Sequence, residues 1–194
     1  MDSWSLRRLM ADVRTAYANK KLAEGIPTST LSAERSLLDK TVTRIFWSQY
    51  LATATGPDVA KSDVDSSDQL TPEIKIFQSR RPSRVTSSAL SGVIRNFGVT
   101  SFTIAQALLG LDLPRTNKTK SAIFWTTSSG RVDLTGGIDA IGNYPTSIPC
   151  VMNVEDDIPI ESWLKQTQTG FQKSLEHDYL PMPDILKCLP ETQR

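Results

Sequence analysis

Hydrophobic residues recur at helical spacing from the start of the chain. Over residues 3–18 they repeat every three or four positions, which predicts an amphipathic helix with Leu6, Leu9, Met10, Val13 and Tyr17 on one side. Asp2, Ser3 or Ser5 could cap this helix by accepting a first-turn backbone N–H. Residues 25–27, Gly-Ile-Pro, interrupt the pattern. It resumes as a second predicted helix over about 32–54, with an inward face of Leu37, Leu38, Val42, Ile45 and Phe46.

The composition changes after residue 54. Residues 55–72 are rich in Gly, Pro, Ser and Asp and carry few large apolar side chains, which is typical of a linker or loop. We therefore expect residues 55–73 to join two units, 1–54 and 74–194. The second unit is predicted to open with a short strand at 74–77. Helices are then expected over 86–96, from 101 to about 111, and from 160 to about 176.

Two further stretches have the composition of strands. Residues 122–126 form a largely apolar run that leads into Ser128-Ser129-Gly130, and we expect this strand to be largely buried. Residues 148–154 form the second, with Pro149 near its start, where a missing N–H is tolerated. Strands that alternate with helices predict an α/β layered fold.

Composition and charge exclude several classes of function. The formal net charge of +1 gives no electrostatic argument for binding nucleic acid or an anionic membrane. The sequence has no apolar signal-peptide core and no run near the ~18 residues that span a bilayer. Two cysteines and one histidine match neither a disulfide framework nor a zinc site, and no glycine-rich phosphate loop is present. We expect a cytoplasmic protein with reduced thiols, no metal and no cofactor.

The one histidine, His177, lies at the predicted end of the last long helix and is followed by Asp178. A catalytic interpretation makes His177 a general base oriented by Asp178. Adjacent residues on a helix do not face each other, however, and a histidine at a helix C-terminus is favoured by the helix dipole alone. We therefore favour a structural role for His177. The acidic residues 155–157 are likewise expected to be a solvated helix entry rather than a cation site.

Ser129-Gly130-Arg131 follows the first predicted strand. A small residue, a glycine and an arginine at a strand end can present a cation to a ligand tunnel. They can also fix a neighbouring part of the protein through a bidentate ion pair. The spacing alone fits a plain surface turn equally well, and that is the default expectation.

Five stretches in the same order resemble the condensation domains of nonribosomal peptide synthetases. They are residues 46–51 (FWSQYL), the turn at 98–100, the strand and Ser-Gly-Arg at 122–131, the G-I-x-x-x-G turn and proline-bearing strand at 137–151, and 175–181 with Ile185. The resemblance implies an incomplete, two-lobed chloramphenicol acetyltransferase-like fold of the α/β class, with a mixed sheet flanked by helices. Residues 1–54 would be a remnant of the N-terminal lobe and 74–194 part of the C-terminal lobe. The Ser- and Thr-rich composition suggests a fungal homologue.

The first residues resemble the end of the family motif H-H-x-x-x-D-G. Asp2 and Ser3 align with its aspartate and glycine, so both histidines would precede Met1. In the family, the second histidine acts as a base toward the amine or orients it. The resemblance therefore implies a domain truncated at both ends, with no catalytic residue of its own. It also makes Asp2 structural, paired with an arginine that we expect outside this chain.

The resemblance implies a substrate-binding role for Ser129, Gly130, Arg131 and Tyr144. The family's G-x-F-x-N-T is replaced here by Gly-Asn-Tyr-Pro-Thr-Ser at 142–147. Thr146 stands where the family has asparagine, and Pro145 stiffens the backbone. These two departures put the usual geometry on the side of the acyl donor in doubt.

Three functions fit the sequence. The first is a condensation-domain-like protein of secondary metabolite biosynthesis that lacks independent catalysis and works with carrier proteins or synthetase modules. The second is a standalone cyclase or acyltransferase with His177, Arg131, Ser129 and Tyr144 as candidate residues. The third is a non-catalytic partner that docks on a synthetase or completes a split domain, since unpaired strand edges seek partners. The chain could also form homo-oligomers. Exposed lobe-facing apolar surface predicts marginal stability.

Overall fold

The structure is a computed structural model that describes residues 1–54, 84–131, 135–155 and 157–190. The predicted linker at 55–73 and the short strand at 74–77 lie outside the described residues. The described elements, in chain order, are α1 (Ser3–Tyr17), α2 (Thr28–Leu37), α3 (Lys40–Ala52), α4 (Ser87–Phe97), α5 (Ser101–Asn117), β1 (Ser121–Ser128), β2 (Thr146–Asn153), α6 (Ile160–Leu175) and α7 (Met182–Leu186).

Helix α1 forms where the sequence predicts it, and Asp2 is its N-cap. The Asp2 carboxylate accepts a hydrogen bond from the backbone N–H of Ser5 at 2.8 Å. Ser5 is the buried residue of α1, whereas the apolar side of the helix is exposed by 38% to 87% at Leu6, Leu9, Met10, Val13 and Tyr17. The helix is therefore amphipathic, and its apolar side is not covered by the described residues.

The predicted single helix over 32–54 is wrong, because the chain forms α2 and α3 with a break between them. Leu38 is extended, and the Asp39 side chain accepts the Thr41 N–H at 2.8 Å to start α3. The break resets the helical phase, so of the predicted inward face only Leu38 and Phe46 are partly buried, with Phe46 packed against the core. Leu37, Val42 and Ile45 are exposed, and the buried side chains are instead Leu31, Thr43, Trp47 and Leu51.

Helices α4 and α5 follow the predicted pattern, with one correction. Thr86 caps α4, and Gly98 ends it in the left-handed region. Helix α5 does not end near Leu111 but continues to Asn117. Pro114 lacks the N–H for one helical bond, yet the last turn closes around it because Lys118 donates its backbone N–H to the Pro114 carbonyl.

The two strands pair antiparallel, in register from Ser121 opposite Asn153 to Ser128 opposite Thr146. Both predicted strands are confirmed, and each is longer than predicted. Strand β1 is half-buried rather than largely buried, with Trp125 37% exposed. The strand ends at Ser128 and Thr146 lie side by side, so residues 129–131 leave the sheet next to residues 142–145.

Within the described part of the chain, three apolar clusters hold the elements together. One joins α3 to β2 and the C-terminal segment through Trp47, Leu51, Ile148, Leu180, Ile185 and Leu189. A second lies between α5, β2 and α6 and comprises Val99, Ala107, Cys150, Met152, Trp163 and Leu164. The third is small and packs Leu31 of α2 on Ala140 and Tyr144. Among the described residues no helix combines the length and apolarity needed to cross a membrane.

Candidate functional site

The site begins at Gly130, which turns the chain where β1 ends. Its φ of +63° lies in the left-handed region that favours glycine. A side chain at this position would also overlap the backbone carbonyl oxygen of Tyr144. The turn therefore requires glycine twice over, and it directs the next residue, Arg131, into the protein.

Arg131 is buried, with 3% of its surface exposed. Its Nη2 donates to both carboxylate oxygens of Asp2, at 2.9 and 2.7 Å, and its Nη1 donates to the carbonyls of Gly137 and Ala140, at 2.5 and 2.8 Å. The guanidinium carbon lies 4.4 Å from the centre of the Tyr144 ring. The default expectation of a surface turn is wrong: Arg131 forms a buried ion pair, in which the single nitrogen Nη2 contacts both oxygens of Asp2.

The Asp2–Arg131 ion pair also corrects an expectation about Asp2. We expected the arginine that pairs with Asp2 to lie outside this chain, but it is Arg131, 129 residues further along. Pairing partners this distant are set by the tertiary fold. No local sequence pattern could therefore have named Arg131 as the partner.

Asp2 is held by more than the arginine. Its carboxylate accepts from the backbone N–H groups of Ser5, at 2.8 Å, and Tyr144, at 3.3 Å. Burial alone would raise the pKa of Asp2, but the hydrogen bonds from Ser5, Arg131 and Tyr144 outweigh it. The pKa of Asp2 is consequently well below its usual value. Asp2 is thus a structural anion that is charged at neutral pH and does not act as a general base there.

Ser5 connects the two sides of the site. Its hydroxyl accepts from Arg131 Nη2 at 2.9 Å and from the backbone N–H of Gly142 at 2.9 Å, and it donates to the Gly142 carbonyl at 2.7 Å. The sequence indicated Ser5 only as a possible helix cap. The start of α1 is therefore fastened to the loop before β2 by side-chain and backbone bonds together.

A cavity of about 270 Å³ adjoins the ion pair and is lined by Trp4, Ser129, Arg131 and Ile138. Of the four predicted substrate-binding residues, Ser129 is exposed, whereas Gly130, Arg131 and Tyr144 are buried. Two buried polar atoms of the site, Arg131 Nε and Tyr144 Oη, have no hydrogen-bond partner. The fold brings all four residues together, and their contact with a substrate stays a prediction.

His177 belongs to a different part of the structure. Its ring stacks on Phe46 with centres 3.9 Å apart, and its Nδ1 lies 3.2 Å from the hydroxyl of Thr43. The next residue, Asp178, instead accepts a hydrogen bond from Ser128. These contacts pack His177 on α3, away from the contacts of Arg131, as its interpretation as a structural residue predicts.

No disulfide links the two cysteines, and the acidic side chains of the described residues form no metal-binding group. Both Cys150 and Cys188 are free. Burial raises the pKa of Cys150 to about 12, with a hydrogen bond to Tyr50 acting in the opposite direction, so its thiol stays protonated at neutral pH. The described part of the chain contains no group of three or more His, Cys, Asp or Glu side chains arranged to hold a metal ion.

Sequence reasoning did not connect three polar residues with the Gly130 turn. They are Arg35 on α2, Ser128 at the end of β1 and Asp178 after α6, and they contact one another or Gly130. Ser128 and Asp178 lie inside or beside stretches that resemble the family. Arg35 carries no such signal, because the sequence around it is an ordinary polar helix.

Comparison with known proteins gives consistent matches. The family model described as "Condensation domain" matches residues 1–194. Chondramide synthase cmdD from Chondromyces crocatus is 27% identical over 192 residues, which are 95% of this chain and 5% of that protein. The condensation domain from the Monacolin K polyketide synthase MokA superposes with a TM-score of 0.70 at 13% identity, covering 96% of this chain and 45% of that chain.

A third match is the crystal structure of a four-domain nonribosomal peptide synthetase bound to AMP and glycine. It superposes with a TM-score of 0.69 at 20% identity, covering 98% of this chain and 15% of that one. The chain therefore spans a small part of the curated relatives and less than half of the matched condensation-domain structure. The shared fold confirms the predicted α/β class.

Proposed function

The chain belongs to the condensation-domain family, and on this premise we propose that it contributes to amide-bond formation in nonribosomal peptide biosynthesis. One observation carries the proposal. Asp2, which aligns with the motif aspartate, forms a buried ion pair with Arg131 of the Ser-Gly-Arg segment. The ion pair thus joins two separate stretches that each resemble a family motif. It lies at the place where the family's chemistry requires a fixed backbone.

In the proposed reaction an amine nitrogen attacks the carbonyl carbon of an acyl thioester. The new C–N bond forms, the C–S bond breaks, and the proton lost by the amine ends on the departing thiol. Arg131 and Asp2 hold the start of α1 against the Gly130 turn, so the backbone that precedes Asp2 enters the site at a fixed position. Neither is a proton acceptor at neutral pH, because Asp2 is ion-paired and arginine stays protonated.

The 194 residues contain a single histidine and therefore no His-His pair. His177, which packs on α3, has contacts separate from those of Arg131. We propose that these residues do not catalyse amide formation alone and that the base comes from a polypeptide segment outside residues 1–194. Removal of a positioned general base forfeits ~10²–10⁴-fold in rate.

Substrate contact is proposed at the cavity beside Arg131. Ser129 is the exposed member of the predicted set, and Trp4 and Ile138 give the cavity apolar walls. The buried residues Gly130, Arg131 and Tyr144 would support this surface from inside the protein.

We propose peptidyl or aminoacyl carrier proteins as partners and a cytoplasmic location. We also propose a division into lobe segments 1–54 and 74–194, joined by residues 55–73.

An acyl-transfer assay tests the proposal. Residues 1–194 are given an aminoacyl thioester on a carrier protein and a free amino acid, alone and joined to a segment that supplies the His-His motif. Mass spectrometry then measures the amide product. We expect none above the buffer rate from residues 1–194 alone, turnover from the joined protein, and a loss of at least about 100-fold in its Arg131→Ala variant, since a small misplacement of catalytic groups has this effect.

Two results would overturn the proposal. Amide formation by residues 1–194 alone that disappears in His177→Ala would instead support the standalone enzyme. Full activity of the joined Arg131→Ala protein would remove the observation on which the proposal rests. Lys165→Ala, which breaks an exposed ion pair with Glu161 on α6, is the control and should leave turnover unchanged.

The exposed apolar side of α1 favours a second candidate, a non-catalytic partner that completes a split domain. A continuous apolar stripe of this kind marks an interaction surface more often than isolated exposed residues do. This candidate predicts tight binding of residues 1–194 to a synthetase without any amide product from the complex. The same acyl-transfer assay distinguishes it from the first proposal.

A further inference from the structure

Gly130 is also held by a second set of polar groups, of which Ser128 and Asp178 are buried and Arg35 is partly buried. Arg35 Nη2 donates to the Gly130 carbonyl at 2.7 Å, and the Gly130 N–H donates to the Ser128 hydroxyl at 3.2 Å. The Ser128 hydroxyl in turn donates to Asp178. Arg35 Nη2 also lies 4.0 Å from the other oxygen of Asp178. Both polar groups of the Gly130 backbone are therefore bonded to this set.

The set joins three distant segments at one residue. Arg35 lies on α2, Ser128 ends β1, and Asp178 follows α6. Ser128 and Asp178 are 2% and 3% exposed, so water cannot replace their bonds. Since Gly130 immediately precedes Arg131, its backbone angles decide where the Arg131 guanidinium lies.

The contact between Arg35 and Asp178 is poorly explained by stability alone. Asp178 is buried, but 26% of the Arg35 side chain is exposed and the two charged groups are 4.0 Å apart, so the ion pair itself contributes little. This pair is also imperfect, because the buried Arg35 Nε has no hydrogen-bond partner in the structure. The hydrogen bonds of Arg35 and Ser128 to the Gly130 backbone are shorter and better formed than the contact between Arg35 and Asp178.

We propose that Arg35 and Asp178 are positioning residues, which act through Gly130 and Ser128 to hold Arg131 against Asp2. The expected effect of these residues on amide synthesis rests on the proposed function. The claim that they hold Arg131 against Asp2 does not, because it concerns only contacts within the chain.

Titration of the Asp2 carboxyl group tests the assignment without any substrate. Carbon-detected NMR on aspartate-labelled residues 1–194 gives the midpoint, and Asp2→Asn assigns the signal by its loss. We expect Arg35→Ala and Asp178→Asn each to raise the midpoint by about one pH unit or more, because Arg131 moves away from the carboxylate. Arg35→Lys keeps the charge but cannot reach Gly130 and Asp178 together, so an intermediate midpoint is expected.

Arg95→Ala is the matched control, since Arg95 is an exposed arginine on α4, and its midpoint should equal that of the unchanged protein. Circular dichroism selects the variants that keep their helix content, and Asp178→Asn, the smaller change, decides if Arg35→Ala does not fold. An unshifted Asp2 midpoint in folded Asp178→Asn protein would overturn the assignment. A shifted midpoint together with a failed acyl-transfer assay would overturn only the proposed function.

Discussion

At the scale of single residues, the site depends on one charge held below the surface. The Asp2 carboxylate is bonded by Ser5, Arg131 and Tyr144, and its folded-state pKa is lower than in an unfolded chain. An acidic group whose pKa is lowered by folding stabilises the folded state fully at pH values above the pKa that the group has in the unfolded chain. That stabilisation disappears as the pH falls toward the folded value.

The pH dependence of unfolding should therefore differ between the unchanged protein and Asp2→Asn. Near pH 7 we expect Asp2→Asn to be less stable by about 3 kcal/mol, because it leaves buried Arg131 without its anion. The difference in unfolding free energy between the two proteins should become smaller as the pH falls from about 4 downward. Urea unfolding curves at a series of pH values measure it. A difference that stays constant down to pH 2 would contradict the assignment of the ion pair.

A second residue-scale prediction concerns the turn itself. Gly130→Ala places a side chain against the Tyr144 carbonyl in a backbone region that disfavours it, and should cost at least about 2 kcal/mol. Gly98→Ala is the matched control, since Gly98 has the same φ of +63° but open space around it. It should cost only about 1 kcal/mol, the price of the conformation. Equal losses in urea unfolding would show that the overlap with Tyr144 does not matter.

Some residues of the site could be predicted from the sequence and others could not. Gly130 and Arg131 stand out because a glycine and an arginine follow a strand, and Tyr144 stands out in the family motif. Arg35 could not be found in this way, since nothing local distinguishes it from other polar residues on helices. Its role depends on α2 packing beside the end of β1, and that contact is visible only in three dimensions.

At the scale of elements, the apolar periodicity located α1, α4, α5 and α6, but it merged α2 with α3 and did not predict α7. α1, α4 and α6 begin within one residue of the predicted start. Asp2 and Thr86 cap α1 and α4 there, whereas α6 follows Pro159 without a side-chain cap. The continuous helix over 32–54 fails because Leu38 interrupts the backbone while the apolar pattern runs on. Asp39 carries the missing signal, as a side chain suited to capping a new helix.

The start of α3 can be tested at Asp39. Asp39→Ala removes the side-chain bond to the Thr41 N–H and should lower the free energy of unfolding by about 1 kcal/mol. Ser36→Ala provides the control, because the Ser36 hydroxyl bonds only a carbonyl within its own helix, and the change should be neutral or slightly stabilising. Chemical denaturation compares them. A neutral Asp39→Ala would mean that packing alone starts α3.

At the scale of the whole molecule, apolar packing is distributed unequally among the described elements. Two of them unite α3, α5, α6, the sheet and the C-terminal segment, so these elements share a core. Helix α1 instead is fastened by polar contacts, among them Asp2, Ser5 and the bond from Trp4 Nε1 to the Ile138 carbonyl. The helix that carries the site's anion is thus the one with the least apolar packing.

This imbalance predicts that residues 1–194 self-associate through α1. Burying its apolar side removes hydrophobic surface from water, at about 25 cal/mol per Å². The double variant Met10→Gln, Val13→Gln keeps helix-forming side chains and should weaken association at least tenfold, which corresponds to about 1.4 kcal/mol. Sedimentation velocity over a concentration series measures this.

Leu108→Gln is the control for self-association, since Leu108 is 61% exposed but lies on α5; it should associate as the unchanged chain does. Joining residues 1–194 to the segment that supplies the His-His motif should abolish association if that segment covers α1. A monomer at every concentration, with no loss of stability in the double variant, would show that the α1 face needs no cover. In that case the site's anion would be held by its polar contacts alone.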